Sequence, residues 1–290
     1  MKIKVSADTS CLVKQDVLVK NNISVFPLNV IIDGNEFLDG VTINQDTLKQ
    51  EMDLNKVVKT STPPMGVVIE YFEKLFEEGY DKIIHFTISS KLSSMFNLFT
   101  TVSNNCFDGK VIVVDSYSVS SVMLGQVLYT VEEINKGTEI DDILKAIESR
   151  KSDYYLTFVP KNLTALKNGG RISPAIAAIG NTIGLKPVIT LRDGELVKDT
   201  MTRNMQKTIL EKLELVQKNY PFSKYDYTIV SFDANEAIVE KIANYIESLD
   251  ENNKVIKGII PINVCAHCGP GTIGFLATPN INGKPLREYL

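Results

Sequence analysis

The sequence predicts an α/β fold in two lobes, with a mainly parallel sheet and flanking helices in the first lobe and a smaller α/β second lobe. Strand-like runs alternate with helix-length segments through most of the chain, and that alternation implies crossover connections between parallel strands. The length, 290 residues, exceeds the usual span of one domain. The pattern also changes near residues 155–165, beyond which a second hairpin motif appears, so the lobes are expected at 1–158 and 159–290.

The elements follow in order. Lys2–Ser6 reads as a strand stopped by the polar run Ala7-Asp8-Thr9-Ser10. Ile23–Ile32 and Glu36–Leu38 flank Asp33-Gly34, a pair whose residues both tolerate the positive φ of a tight hairpin. Thr62-Pro63-Pro64 reads as a helix start with Thr62 as the cap. Val68, Tyr71, Phe72, Leu75 and Phe76 give that helix one apolar face, and Gly79 ends it. A strand at Lys82–Phe86, a helix from about Ser93, a strand at Lys110–Val114, helices at about 119–135 and 140–150 and a strand at Tyr154–Phe158 complete the first lobe. The second lobe opens with a short helix after Pro160, closed by Gly169-Gly170. Pro187–Leu191 and Glu195–Lys198 pair across Asp193-Gly194, helices are expected at about 202–218 and 235–249, and strands at Tyr227–Phe232 and Val255–Ile262.

Composition narrows the function. Hydrophobic residues make up 44% and charged residues 23%, values ordinary for a globular protein. A net charge of -4 argues against a nucleic-acid binder with a broad basic face. Four cysteines, Cys11, Cys106, Cys265 and Cys268, are too few and too scattered for a disulfide framework. The opening residues lack a signal-peptide core, and the apolar stretch from Ile172 to Thr190 is interrupted by Asn181, Lys186 and two prolines. A cytoplasmic protein without a transmembrane segment is expected.

The residues suited to chemistry are few. Thr60-Ser61-Thr62 and Ser89-Ser90-Lys91-Leu92-Ser93-Ser94 place hydroxyls on loops that precede helices. Such loops at the carboxyl ends of parallel strands hold ligands, and hydroxyls with free N–H groups suit a phosphate or a carboxylate, although the same residues also serve as simple caps. No phosphate-loop or dinucleotide-binding glycine motif is present. Cys265-Ala266-His267-Cys268-Gly269-Pro270-Gly271-Thr272 contains one of only two histidines. Its Cys-x-x-Cys offers three nearby ligands where a structural zinc wants four, so no metal and no cofactor is expected. The Gly-Pro-Gly turn is expected to bring backbone close to a ligand and to open a helical segment at Thr272, with His267 either at the site or simply fixing the turn. His85, inside a strand, reads as a core residue, and Asp8 and Asp115 as caps. The charges Lys167, Arg171 and Lys186 near Gly169-Gly170 suit solvent or an anion.

With these motifs assembled, the sequence resembles the DegV family of bacterial lipid-binding proteins. The resemblance runs from Lys2–Ser10 through Lys59–Pro63, Ile88–Ser93, Val114–Ser116 and Leu166–Ile172 to Ala266–Thr272, in that order and spacing. It implies a two-lobed protein holding one long-chain fatty acid in a tunnel, its carboxylate at the seam between lobes. It further implies a substrate-presenting subunit, not an enzyme by itself: a separate ATP-dependent fatty acid kinase subunit would convert the bound acid to an acyl-phosphate for phospholipid synthesis. The carboxylate positions carried over are Ser61 or Thr62, Ser93 with the backbone N–H of Ser94, and His267, while Arg171 and Arg203 match positions suited to the phosphate or to docking the kinase subunit. Transient membrane contact for lipid exchange fits the same picture. Pro64, Ser94-Met95-Phe96 and Cys268 depart from the usual family pattern. The Ile172–Leu185 segment, rich in Ala, Ile and Gly, is a candidate tunnel wall. The alternatives are a lipid carrier or sensor with no kinase partner, and a stand-alone acyl hydrolase using Ser93 or Ser61 with His267 as base. No Gly-x-Ser-x-Gly elbow supports the hydrolase.

Overall fold

The protein is described by a computed structural model over residues 1–11, 14–172, 184–250 and 254–290. The first lobe is organised by a four-stranded, all-parallel sheet in the order β2-β1-β6-β7, formed by Ile23–Phe26, Ile3–Asp8, Lys82–Thr87 and Val111–Asp115. In β1 and β6 every residue after the first is buried, as strands covered on both faces by crossover helices must be. Helices α3 (Met65–Glu77), α4 (Met95–Cys106), α5 (Ser120–Lys136) and α6 (Ile140–Arg150) supply that cover. The spacing of Val68, Phe72 and Leu75 does bury one face of α3. The helix, however, starts two residues later than its hydroxyl suggested: Pro64 occupies the cap and Thr62 stays outside, because Ser61 ends a strand and Thr62-Pro63 link that strand to the helix.

That strand belongs to a small antiparallel sheet, β4-β3-β5, made of Asn35–Leu38, Asn29–Ile32 and Val58–Ser61. The run from Ile23 to Ile32 is therefore two strands in different sheets, broken at Pro27-Leu28, where proline cannot donate to a ladder. The Asp33-Gly34 turn between β3 and β4 has φ of 47° and 85°, the paired positive values of a tight hairpin turn. Helices α1 (Gln15–Lys20) and α2 (Gln45–Asp53), neither evident in the sequence pattern, fill the connections.

The second sheet has six strands in the order β10-β9-β8-β13-β11-β12. These are Glu195–Thr202, Lys186–Arg192, Tyr155–Val159, Thr272–Pro279, Tyr225–Phe232 and Ile256–Ile259. Only β11 and β12 pair in parallel. The whole of β8 lies in this sheet, so the chain passes from one sheet to the other between α6 and β8. The short helix α7 (Thr164–Asn168) follows β8. Helices α8 (Met205–Asn219) and α9 (Glu236–Ser248) start from Asn204 and Asn235, whose side chains accept the N–H groups of Lys207 and Ala237. The expectation of a helical segment opening at Thr272 is corrected. The helix, α10 (Ile262–Cys268), comes before the Gly269-Pro270-Gly271 turn, and Thr272 begins the central strand β13. The chain end then returns to the first lobe, where Ile281 and Leu286 join the core around Val5, Phe86 and Leu124.

Candidate functional site

The order β2-β1-β6-β7 makes the gap between β1 and β6 the point where connections leave the sheet in opposite directions, and crevices at such points bind ligands. Asp8 ends β1 there. Its two oxygens accept the backbone N–H groups of Ser10 and Ile88 at 2.8 Å each, tying the loop after β1 to the loop after β6. Burial raises its pKa to about 6 against those hydrogen bonds. Asp115, at the end of β7, accepts from Ser90 and Tyr117 N–H groups at 3.0 Å. Both aspartates are thus caps, and what they cap is the hydroxyl-rich Ile88–Ser93 loop. The second lobe also grips this loop: Ser89 Oγ donates to the Gly194 carbonyl at 2.7 Å, in the Asp193-Gly194 hairpin turn. A Cβ on Gly194 would meet Ser89 Oγ at 2.6 Å.

A cavity of about 370 Å³ lies at this seam. Its walls are apolar side chains from both lobes, among them Leu28, Ile88, Met95, Leu156, Leu191 and Leu276. One end is polar. There Ser61, Thr62, Ser93, Ser94, His267 and Arg171 all line the space, so six of the seven residues singled out from the sequence converge. Thr62 and Ser94 are exposed and form the rim, while Ser61, Ser93, Arg171 and His267 are half-buried behind them. Arg203 is the one not gathered here; it is exposed between β10 and α8, outside the cavity lining. Residues 173–183, most of the expected Ile172–Leu185 wall, lie outside the described residues.

His267 is held more tightly than the sequence implied. Its Nε2 is 2.9 Å from Thr60 Oγ1, a hydroxyl of the Thr60-Ser61-Thr62 cluster that was not among the carboxylate positions the family resemblance implies. Thr60 lies on β5, which packs against α10, and its place inside the Thr60-Ser61-Thr62 run was the available clue. The other edge of the ring faces the backbone of Gly169: a Cβ there would stand 2.1 Å from Nδ1. Gly169 has φ of -76°, so close approach and not backbone freedom requires glycine at this position. Burial, with the Arg171 charge adding to it, lowers the His267 pKa to about 4 and keeps the imidazole neutral near pH 7. Arg171 donates to the carbonyls of Leu92 (3.2 Å) and Gly169 (2.6 Å), pinning the second lobe to the Ser93 loop. Ser61 Oγ is buried with no partner among the described residues, a hydroxyl free for a ligand.

The other residues singled out in the sequence fall in defined surroundings. His85 is fully buried, stacked on Phe99 at 4.2 Å with Nδ1 2.9 Å from Ser6 Oγ, and burial lowers its pKa to about 3. Cys265 and Cys268 are both buried free thiols, and burial raises the Cys265 pKa. Cys268 lines the cavity, whereas Cys265 packs in the core. No His, Cys, Asp or Glu cluster suited to a metal ion occurs among the described residues. None of their helices is long and apolar enough to cross a membrane. His267 meets Thr60, not Ser61 or Ser93, and among the described residues no carboxylate is bonded to it.

Comparison with known proteins gives consistent relationships. Residues 2–280 match the model of the DegV family, described as uncharacterised proteins. The DegV domain-containing protein SA1258 of Staphylococcus aureus (strain N315) is 31% identical over 287 residues, covering 95% of this chain and 98% of that one. A DegV family protein from Thermus thermophilus, described for its fatty acid binding, superposes with a TM-score of 0.86 at 25% identity, covering 96% of this chain and 100% of its own. A DegV lipid-binding protein from Thermotoga maritima gives 0.83 at 26% identity, covering 96% and 99%. With the family pattern spanning nearly its whole length, the chain belongs to the DegV family.

Proposed function

We propose that this protein binds one long-chain fatty acid and presents its carboxylate to a separate ATP-dependent kinase subunit, which converts it to an acyl-phosphate. The observation that carries the reading is the make-up of the seam cavity: mostly apolar walls, with the hydroxyls of Ser61, Thr62, Ser93 and Ser94 and the neutral His267 imidazole in its lining. Its volume of about 370 Å³ falls within the range of ~300–1,000 Å³ usual for small-molecule sites. Each buried methylene contributes about 0.8 kcal/mol, so a sixteen-carbon chain offers on the order of 10 kcal/mol before ordering costs. The Thermus and Thermotoga relatives, described as fatty-acid- and lipid-binding, support the same ligand class.

The donor set suits a carboxylate that must still react. A buried carboxylate costs several kcal/mol unless hydrogen-bond donors replace its water. Ser61, Thr62, Ser93, the Ser94 N–H and His267 offer such donors without placing a fixed cation against both oxygens, which leaves the oxygens nucleophilic toward a phosphoryl group. The Arg171 fork is engaged by two backbone carbonyls, so it lends charge to the site while positioning the loop. The exposed rim at Thr62 and Ser94 gives a partner access to the carboxylate, and exposed Arg203 belongs with the partner-facing surface. On this reading the protein works in the cytoplasm with no resident cofactor, taking its ligand through transient membrane contact.

Mass spectrometry of the purified protein under native and then denaturing conditions tests ligand binding. The expected difference is the mass of one C14–C18 fatty acid. A protein that arrives empty and takes up no added stearic acid overturns the reading. With a fatty acid kinase subunit and ATP added, Ser93→Ala and His267→Ala should each slow acyl-phosphate formation at least tenfold. Unchanged turnover in both overturns the roles given to these residues.

A further inference from the structure

The seam cavity has a second pair of polar residues besides the group around His267. Ser120 and Asn263 both line it, both are at least nine-tenths buried, and neither Ser120 Oγ nor Asn263 Oδ1 has a hydrogen-bond partner among the described residues. They come from different elements, the start of α5 and the first turn of α10, and both are fastened to Ser10. Ser120 N–H donates to the Ser10 carbonyl at 2.8 Å, and Asn263 Nδ2 donates to Ser10 Oγ at 2.7 Å. With Asn263 Nδ2 spent on Ser10 Oγ, Asn263 Oδ1 is left as a bare acceptor. Ser120 holds φ of 59°, a left-handed conformation where glycine fits without strain and serine does not. A serine kept at that backbone, with its hydroxyl unpaired, gives the side chain a use.

We propose that Ser120 and Asn263 form a subsite for a hydroxyl group on the acyl chain, so that the preferred ligand class is a hydroxylated long-chain fatty acid. The inference rests on the fatty-acid reading above and sharpens it. A chain hydroxyl donates to Asn263 Oδ1 and accepts from Ser120 Oγ–H, satisfying both atoms together. An oxo group accepts only and leaves Asn263 Oδ1 unpaired; a methylene satisfies neither. Asn263 and His267 are four residues apart on α10, hence on one face and about 6 Å apart along the axis. The recognised hydroxyl therefore lies in the interior of the chain, not on the carbons beside the carboxyl group.

The test is competitive loading of delipidated protein with an equimolar mixture of stearic acid, monohydroxystearic acids of different hydroxyl position and the matching oxostearic acids. Bound acids are read by mass spectrometry after denaturation. One hydroxy isomer should be enriched at least fivefold over stearic acid, and its oxo counterpart should not. Ser120→Gly, which suits the left-handed backbone, and Asn263→Leu should each bring that enrichment below twofold while stearic acid still binds. Retention of stearic acid with no isomer enriched more than twofold overturns the inference and assigns the two groups to a bound water. Enrichment that survives both substitutions overturns it as well. Failure to retain any acid overturns the fatty-acid reading itself, and the inference falls with it.

Discussion

Gly169→Ala is the sharpest probe of the proposed carboxylate end. The added methyl would stand 2.1 Å from His267 Nδ1 and 2.9 Å from Cε1, about 1.3 Å short of ordinary contact with the nearer atom. Ala165 O, at 3.2 Å, blocks relief on the other side. The ring must then swing away, and the 2.9 Å contact to Thr60 Oγ1 is lost. A lost hydrogen bond costs about 1 kcal/mol, and a buried group left unpaired about 1–3 kcal/mol. Alanine gains only about 0.4–1 kcal/mol over glycine through the unfolded chain. Stability should fall by about 1–2 kcal/mol, and fatty acid affinity by at least about tenfold, because the proposed carboxylate donor leaves the site. Gly170→Ala is the control: that residue has φ of 67° and nothing within 4 Å of an added Cβ. It should cost about 1 kcal/mol in backbone strain and leave the imidazole in place. The assay combines stearic acid binding with a ¹H–¹⁵N spectrum of the imidazoles, simplified by there being only two histidines. Gly169→Ala should move the His267 resonances and spare those of His85. Unmoved His267 resonances with affinity within twofold of the parent would refute the packing argument.

Two further predictions concern electrostatics and the loop. Above pH 6.5 His267 is neutral in both folded and unfolded chains; between 6.5 and about 4 the unfolded chain takes a proton that the folded site refuses, so stability is lost on acidification. At about pH 4.5 this amounts to about 2.5 kcal/mol relative to His267→Gln, measured by urea denaturation of both proteins at that pH and at about 7.5. Asp8 and Asp39, each raised to about 6 by burial, act in the opposite sense over the same window, so the difference between the two proteins is the informative quantity. Curves that stay parallel would contradict the buried neutral imidazole. Asp115→Ala strips the acceptor from Ser90 and Tyr117 N–H groups and should cost about 1–3 kcal/mol, with faster amide exchange at both positions. A loss below about 0.5 kcal/mol would show that the Ser93 loop is held by other contacts.

Much of this molecule was legible in the sequence because its signals are local. The period of Val68, Phe72 and Leu75 set the buried face of α3, and the Asp-Gly pairs set both hairpin turns. Helices expected at about 202–218 and 235–249 form at Met205–Asn219 and Glu236–Ser248. The hydroxyl clusters and the His267 turn stood out because their residue types are wasted in a core. What the sequence could not carry are relations between distant segments. The break at Pro27-Leu28 and the strand beginning at Thr272 depend on which sheet each segment joins, and β-pairing is a long-range choice with no local signature. Thr60 became part of the site only because β5 lies against α10, some two hundred positions on. Gly169 reads as a helix end until the fold lays an imidazole across it. The unpaired Ser120 and Asn263 acquire meaning only when both are tied to Ser10 at the wall of one cavity. Local chemistry nominates residues through periodicity and turn geometry, whereas burial, close approach and unsatisfied polar atoms are properties of the packed whole.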